Sequence, residues 1–265
     1  MYVYDDRRAH AELDVHTAWG RGAARRPAVM YVHGGGWNSG ARNNDRATVD
    51  RLARAGYVGV NVDYRLVPEG AFPAAVQDVF CALAFIRERA DELGINPERV
   101  AVMGHSAGAH LIGMVAVAAD VPELQDLACP SGKTGAPGAA ISVAGPMDLH
   151  RLGGAPTAAF VGASYDAAPE TWAAASPINH VDAGEPPFLF VHSKQDLIVP
   201  IEQSEVMRIA LRSAGNEVSI LRLEGGGHVL GDGLGLGEEE FELASDTPES
   251  WTALIDFLDR TVGTP

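Results

Sequence analysis

Short apolar runs alternate along the chain with segments whose apolar residues recur at helical spacing. Runs of this length, bounded by turn residues, are typical of strands buried in a sheet. They predict strands at residues 28–32, 57–62, 99–103, 139–143, 187–192 and 218–223. The intervening segments predict helices at residues 45–55, 72–93, 109–114, 201–213 and 247–258. The alternation indicates an α/β fold with a mostly parallel sheet flanked by helices.

The helix predicted at 72–93 is the longest of these elements. It places Val76, Val79 and Leu83 on one face, and Gly94 supplies a C-terminal cap.

A chain of 265 residues with 46% hydrophobic content can bury one sizeable core. We therefore expect a single domain over residues 1–265.

Two segments interrupt the alternation. Residues 145–180 are rich in Pro and Ala, contain Phe160 and Trp172, and lie between two predicted strands. We expect them to form a small lid-like insertion. Residues 229–246 carry a Gly-rich run and an acidic run, for which we expect a solvated loop. Long loops of this kind are often functional.

The pentapeptide Gly104-His105-Ser106-Ala107-Gly108 lies between a predicted strand and a predicted helix. Small residues around the serine allow the strained turn of a nucleophile elbow, which exposes the hydroxyl at the end of the strand. A neutral hydroxyl is a poor nucleophile and needs a neighbouring base. Ser106 is therefore the candidate nucleophile.

An aspartate and a histidine further along the chain complete the order Ser, Asp, His of a catalytic triad. Asp196 lies in the loop after the strand at 187–192, and His228 follows the next strand and three glycines. The imidazole can take the serine proton and return it to the leaving group. The carboxylate holds the imidazole in the productive tautomer. We predict His228 as the base and Asp196 as the acid.

The segment His33-Gly34-Gly35-Gly36-Trp37 follows the first predicted strand and has the form of an oxyanion-hole loop. We expect the backbone N–H groups of Gly35, Gly36 and Ala107 to stabilise the oxygen that gains charge. Glycine suits this loop because a Cβ would obstruct the approaching carbonyl group. We expect His33 and Trp37 to brace the loop rather than to react.

Other acidic and imidazole side chains compete for these roles. Asp182 and Asp166 are rivals of Asp196, whereas Asp148 either orients the insertion or caps a turn. His192 ends a predicted strand, but the acid of the triad is expected in the loop that follows. The remaining histidines flank the elbow, belong to the glycine loop or lack a position at a strand end: His10, His16, His33, His105, His110, His150 and His180.

Charge, hydropathy and cysteine content indicate which partners and which cellular location to expect. The formal net charge of −15 repels phosphate backbones, so nucleic acid is not expected as a partner. No stretch approaches the ~18 apolar residues needed to span a bilayer, and no signal peptide is visible. Of the two cysteines, Cys81 lies in a helical pattern and Cys129 in a Pro/Gly-rich loop. We therefore expect no disulfide and a cytoplasmic location.

Three stretches resemble the esterase branch of the α/β-hydrolases that is related to hormone-sensitive lipase. They are the glycine loop at 33–37, the segment Asp63-Tyr64-Arg65-Leu66 with Pro68-Glu69 and Phe72-Pro73-Ala74-Ala75, and residues 104–111. His105 and the run from Ser106 to Leu111 look closer to the bacterial feruloyl-esterase and arylformamidase-like subgroup, since lipase-like members more often have Asp before the serine. The loop from Asp196 to Pro200 also has the D-x-x-V-P ending of this family.

The resemblance implies an α/β-hydrolase fold with about eight strands and a serine carboxylic-ester hydrolase. We expect short-chain acyl or small aryl esters as substrates, an acyl-enzyme intermediate, and no requirement for a metal or a cofactor. Because little chain precedes residue 29 to form the N-terminal helical cap of lipase-like members, we expect a short, open acyl pocket. An arylformamidase or other amidase, and a non-catalytic ligand receptor on the same fold, remain alternatives.

Overall fold

The structure is a computed structural model that describes residues 1–18, 24–126, 128–228 and 248–265. Eight strands form one sheet in the order β1-β2-β4-β3-β5-β6-β7-β8. The strands are β1 (Tyr2–Val3), β2 (Glu12–His16), β3 (Arg26–Val32), β4 (Val58–Val62), β5 (Ile95–His105), β6 (Ala139–Val143), β7 (Phe188–Ser193) and β8 (Val218–Leu223). Strand β2 pairs antiparallel with β1 and β4, and the other pairs are parallel. The predicted mostly parallel sheet is confirmed.

Helices cover both faces of this sheet and divide the core into two clusters. Along the chain they are α1 (Arg46–Arg54), α2 (Ala74–Glu88), α3 (Ala90–Leu93), α4 (Ala107–Val117), α5 (Leu149–Leu152), α6 (Ala155–Val161), α7 (Pro169–Ala174), α8 (Glu202–Ser213) and α9 (Pro248–Thr261). On one face, α2, α4 and α8 contribute to the larger cluster. On the other face, α1 and α9 pack against the sheet.

Three elements differ from the sequence-based expectation. The helix predicted at 72–93 begins at Ala74, directly after a proline, and Arg89 with φ −95° and ψ 15° separates α2 from α3. Gly94 ends α3 in the left-handed conformation, as predicted. Strands β1 and β2 were not predicted. In β2, only one of five residues is fully buried, so the strand lacks a long apolar run.

The predicted insertion at 145–180 contains α5, α6, α7 and a 3₁₀ turn, Pro177–His180. Phe160 and Trp172 lie inside the protein, since they are 0% and 3% exposed, whereas Tyr165 is 38% exposed. The Gly-rich and acidic loop predicted at 229–246 lies outside the described residues.

The expectation that the cysteines are unpaired is wrong. Cys81 and Cys129 form a disulfide that joins α2 to the connection between α4 and β6. Sequence separation and local pattern do not show that this connection returns to α2, so the pairing could not be deduced from them. Because disulfides persist in oxidising compartments, the expected cytoplasmic location loses one of its supports. In the described part of the chain, no helix is long and apolar enough to cross a membrane.

Candidate active site

Ser106 lies at the sharp turn between β5 and α4. Its backbone has φ 53° and ψ −119°, a conformation rare for a residue with a side chain. Two neighbouring glycines permit the turn. A Cβ on Gly104 would lie 2.5 Å from the carbonyl carbon of Gly108, and one on Gly108 would lie 2.0 Å from the carbonyl oxygen of Val32. The close packing of β3, β5 and α4 therefore fixes the position of Ser106.

The structure brings Ser106, Asp196 and His228 together at the carboxyl edge of the parallel strands. The Nε2 atom of His228 lies 2.9 Å from Ser106 Oγ. Its Nδ1 atom lies 2.7 Å from Asp196 Oδ2. Asp196 belongs to the loop after β7 and His228 to the loop after β8. This geometry allows His228 to accept the Ser106 proton while Asp196 holds the opposite ring nitrogen.

The carboxylate of Asp196 is fully surrounded by hydrogen-bond donors. Its Oδ1 atom accepts the backbone N–H groups of Ile198 and Val199, both at 2.9 Å. Its Oδ2 atom faces His228 and also lies 3.3 Å from Nε2 of His192. Burial acts to raise the pKa of Asp196, but hydrogen bonds from His192 and His228 outweigh it and hold this pKa well below its usual value. The carboxylate is therefore ionised at neutral pH.

The predicted oxyanion-hole loop lies directly beside the elbow. A Cβ on Gly34 would lie 2.9 Å from His105 Nδ1 and 3.3 Å from Ser106 Cβ. Gly35 has φ 120°, and its carbonyl oxygen accepts the N–H groups of Asn38 and Ser39. A side chain at Gly35 would collide with the backbone of Ser39, because its Cβ would lie 2.1 Å from the carbonyl oxygen. The loop can thus follow this path beside the elbow only with glycine at positions 34 and 35.

Comparison with known protein families identifies the family of this chain. The model of the family described as BD-FAE matches residues 13–211, which is most of the chain. The chain belongs to the BD-FAE family. This result confirms the expected resemblance to α/β-hydrolase esterases.

Curated and solved relatives of this BD-FAE protein carry esterase names. Esterase LipC of Mycobacterium tuberculosis is 32% identical over 212 residues, which cover 76% of this chain and 52% of LipC. The chain thus spans about half the length of LipC. A truncated carbohydrate esterase from gut microbiota shares the fold, with a TM-score of 0.87, 21% identity, and 98% of this chain and 94% of that chain covered. The esterase Est2 of Thermogutta terrifontis has a TM-score of 0.77 and 27% identity over 96% of this chain and 90% of its own.

Two buried histidines of the BD-FAE protein hold the parts of this site in place. His105 Nε2 donates to the backbone carbonyl of His228 at 3.0 Å, and burial lowers the pKa of His105 to about 4. His110 Nε2 donates to the carbonyl of Ala175 at 2.8 Å, and its Nδ1 accepts from the Trp37 indole at 3.2 Å. Burial lowers the pKa of His110 to about 4 as well. The sequence placed both beside the elbow but gave no sign of these contacts.

Aromatic stacking supports both ends of the glycine loop. Trp37 stacks on Phe160 with ring centroids 4.8 Å apart. His33 stacks on Tyr64 at 4.4 Å, and the Tyr64 hydroxyl donates to the backbone carbonyl of His33. Both contacts agree with a bracing role for His33 and Trp37. Asp63, which belongs to one of the stretches that carry the family resemblance, accepts from the backbone N–H and the guanidinium of Arg42.

The remaining rival residues lie in other surroundings. Asp148 caps α5, with Oδ1 3.1 Å from the N–H of Arg151, so capping is the alternative that the structure supports. The Asp182 carboxylate is exposed and accepts from the N–H of Ala183, and Asp166 is also exposed. The other histidines contact other groups: His16 contacts Asp50, His150 stacks on Tyr165, and His180 contacts the carbonyl of Ala174. Within the described ranges, no group of three or more His, Cys, Asp or Glu side chains could hold a metal ion.

Proposed function

We propose that this protein is a serine carboxylic-ester hydrolase whose nucleophile is Ser106. The observation that carries the proposal is the continuous hydrogen-bonded chain from Ser106 Oγ through His228 to Asp196, which lies beside a glycine loop. Each member has the neighbour that its role requires. The nucleophile has a base within hydrogen-bond reach, and the base has an ionised carboxylate on its other nitrogen.

In the acylation step, Ser106 Oγ attacks the ester carbonyl while His228 Nε2 takes the hydroxyl proton. The tetrahedral intermediate collapses when the C–O bond to the alcohol breaks, and His228 returns the proton to the leaving alcohol. A water molecule then attacks the acyl-enzyme while His228 takes its proton. The C–O bond to Ser106 Oγ breaks, His228 returns the proton to this oxygen, and the carboxylic acid is released. Asp196 stays ionised and stabilises the imidazolium that forms during each attack.

The oxygen of the tetrahedral intermediate requires preorganised donors. We assign this role to the backbone N–H groups of Gly35, Gly36 and Ala107, because the glycine loop contacts the elbow and Ala107 begins α4. In a known serine hydrolase, one such donor contributes about 2.7–4 kcal/mol to the transition state. The braces around Trp37 and His33 keep this loop from moving away as the charge develops.

Short-chain acyl and small aryl esters are the substrates that we propose. The related Est2 has been solved with propionate bound and with butyrate bound. In this chain, Phe160 and Trp172 are packed in the core and so cannot serve as a mobile apolar cover over Ser106. Long acyl chains gain binding energy only where apolar walls exist to receive them.

Covalent labelling together with substitution tests the proposal. Est2 is described as phosphorylated by paraoxon, so this chain should become labelled at Ser106, which peptide mass spectrometry identifies. Ser106→Ala should remove both the label and ester turnover while the fold is retained, because only one hydroxyl is lost. The turnover assay should compare acetyl, butyryl, octanoyl and feruloyl esters with an aryl formamide. Full activity in folded Ser106→Ala would refute the nucleophile, and a preference for the formamide would make the protein an amidase.

A further inference from the structure

A second histidine, His192, contacts the carboxylate that holds His228, and the mechanism above gives it no role. It lies in β7 with 0% of its surface exposed. Its Nε2 atom lies 2.8 Å from the carbonyl oxygen of Val199 and 3.3 Å from Asp196 Oδ2. Its Nδ1 atom lies 2.7 Å from the hydroxyl oxygen of Ser204 in α8.

The partners of His192 determine which ring nitrogen carries the proton. A backbone carbonyl and an ionised carboxylate can only accept, so the hydrogen of the neutral ring must be on Nε2. Nδ1 is then an acceptor, and Ser204, which is also 0% exposed, donates to it. Both nitrogens of His192 are therefore satisfied, and both the tautomer and the orientation of the ring are fixed.

These contacts complete the surroundings of the Asp196 carboxylate. The backbone N–H groups of Ile198 and Val199 hold Oδ1, whereas the two imidazoles face Oδ2. A buried carboxylate stays ionised only when hydrogen bonds replace its hydration. His192 also ties the far end of the acid loop, at Val199, back to β7. Without it, the carboxylate loses the Nε2–H group that lies 3.3 Å from Oδ2, and the loop loses its anchor at Val199.

We propose that His192 is a positioning residue that holds the Asp196 carboxylate with Oδ2 facing His228 Nδ1. Its effect on turnover rests on the proposed esterase function, whereas its effect on the hydrogen bond between Asp196 and His228 does not. His192 touches neither substrate nor nucleophile. It acts through Asp196, and Ser204 holds its ring from α8.

Two amide substitutions test the roles of the two ring nitrogens of His192 separately. In His192→Gln the amide N–H₂ group reaches the place of Nε2 and can still donate toward Val199 and Asp196. In His192→Asn the shorter amide stays near the place of Nδ1 and Ser204, so the donor to Asp196 is lost. Hydrogen bonds to charged groups contribute enough that we expect His192→Asn to lower kcat roughly 10- to 100-fold with KM unchanged. His192→Gln should recover most of this loss.

Proton NMR provides a readout that does not depend on turnover. The Nδ1–H proton of His228, held against a buried carboxylate, should give a downfield signal that is protected from exchange and absent in His228→Gln. The signal should persist in His192→Gln and shift or broaden in His192→Asn. Tyr57→Phe is the control for the loss of a partly buried hydrogen bond, since the Tyr57 hydroxyl lies 2.5 Å from Asp259 Oδ1 and Tyr57 precedes β4, which pairs with β2 and β3 and not with β7. It should change neither kcat nor the signal.

The proposal is overturned if His192→Asn keeps kcat within about twofold and retains the downfield signal, or if the Gln and Asn variants are equally impaired. If His192→Asn does not fold, Ser204→Ala replaces it, since this change leaves the imidazole in place and removes the donor that orients it. An unchanged signal in Ser204→Ala would then overturn the proposal. If the wild-type protein hydrolyses no ester, the proposed function fails, and the NMR comparison still decides the role of His192.

Discussion

Mild acid should destabilise this protein because two buried histidines resist protonation. His110 is 0% exposed, and both of its nitrogens are used as in a neutral ring, one accepting from Trp37 and one donating to Ala175. A proton on Nδ1 would break the bond from the Trp37 indole and bury a charge. Burial accordingly lowers the pKa of His110 from 6.5 to about 4, and burial has the same effect on His105.

The sign of the pH effect follows from the pH at which the folded and the unfolded state each bind the proton. In the unfolded chain, these histidines bind a proton near pH 6.5, whereas in the folded protein they do so only near pH 4. Between these values the unfolded state binds more protons, so stability falls as the pH falls. The lowering corresponds to about 3 kcal/mol for each histidine. Since domains are stable by roughly 5–15 kcal/mol, the two together can remove most of the stability.

Urea unfolding between pH 7.5 and 4.5 tests this prediction. The free energy of unfolding of the wild-type protein should fall steeply below pH 6.5, and His110→Gln should show a slope reduced by up to about 1.4 kcal/mol per pH unit. The variant also loses packing, so the slope and not the absolute stability is compared. His150→Gln, which removes an exposed imidazole, is the control and should keep the wild-type slope. Equal slopes in wild type and His110→Gln would refute the reasoning.

The other predictions concern the acid of the triad, the disulfide and the acyl pocket. Asp196→Asn should lower kcat by up to about 10⁴-fold without unfolding, because an amide can donate to His228 Nδ1 and favour the wrong tautomer; a similar loss in the exposed control Asp182→Asn would contradict the assignment. Replacing Cys81 and Cys129 with Ser should lower the free energy of unfolding by up to about 4 kcal/mol, given their separation of 48 residues, and equal urea midpoints would contradict this. Acetyl to butyryl esters should exceed dodecanoyl esters in kcat/KM below their micelle concentrations, and a rate that climbs steadily with acyl length would reject the short pocket.

The central strands and the three residues brought together at the site could be predicted because each leaves a local signal. Strands buried on both faces give continuous apolar runs, and β6, which is buried along its whole length, begins and ends at the predicted residues. The elbow requires small residues around Ser106 at fixed spacing. In a parallel sheet, the loops that follow the strands lie at one edge of the sheet. Because Asp196 and His228 follow predicted strands, the sequence predicted that both lie near Ser106.

Features that depend on contacts between distant segments left no such signal. The disulfide requires the connection after α4 to return to α2. His105 binds the backbone of His228, 123 residues further along the chain, and His192 is oriented by Ser204, which belongs to the following helix α8. A histidine at a strand end is compatible with a base, a core residue or a support for another side chain. Only its hydrogen-bond partners distinguish these roles.

The predicted insertion at 145–180 shows why aromatic residues among polar ones can mislead. Such a pattern suggests a lid that closes over a substrate, yet Phe160 stacks on Trp37, which directly follows the proposed oxyanion glycines. The carbonyl of Ala175, at the end of α7, accepts from His110, which in turn accepts from the same indole. The insertion therefore packs against the glycine loop from within the core. A substitution that weakens the packing of Phe160 should therefore affect the reaction by displacing the oxyanion donors. It should not act by changing the access of substrate to the pocket.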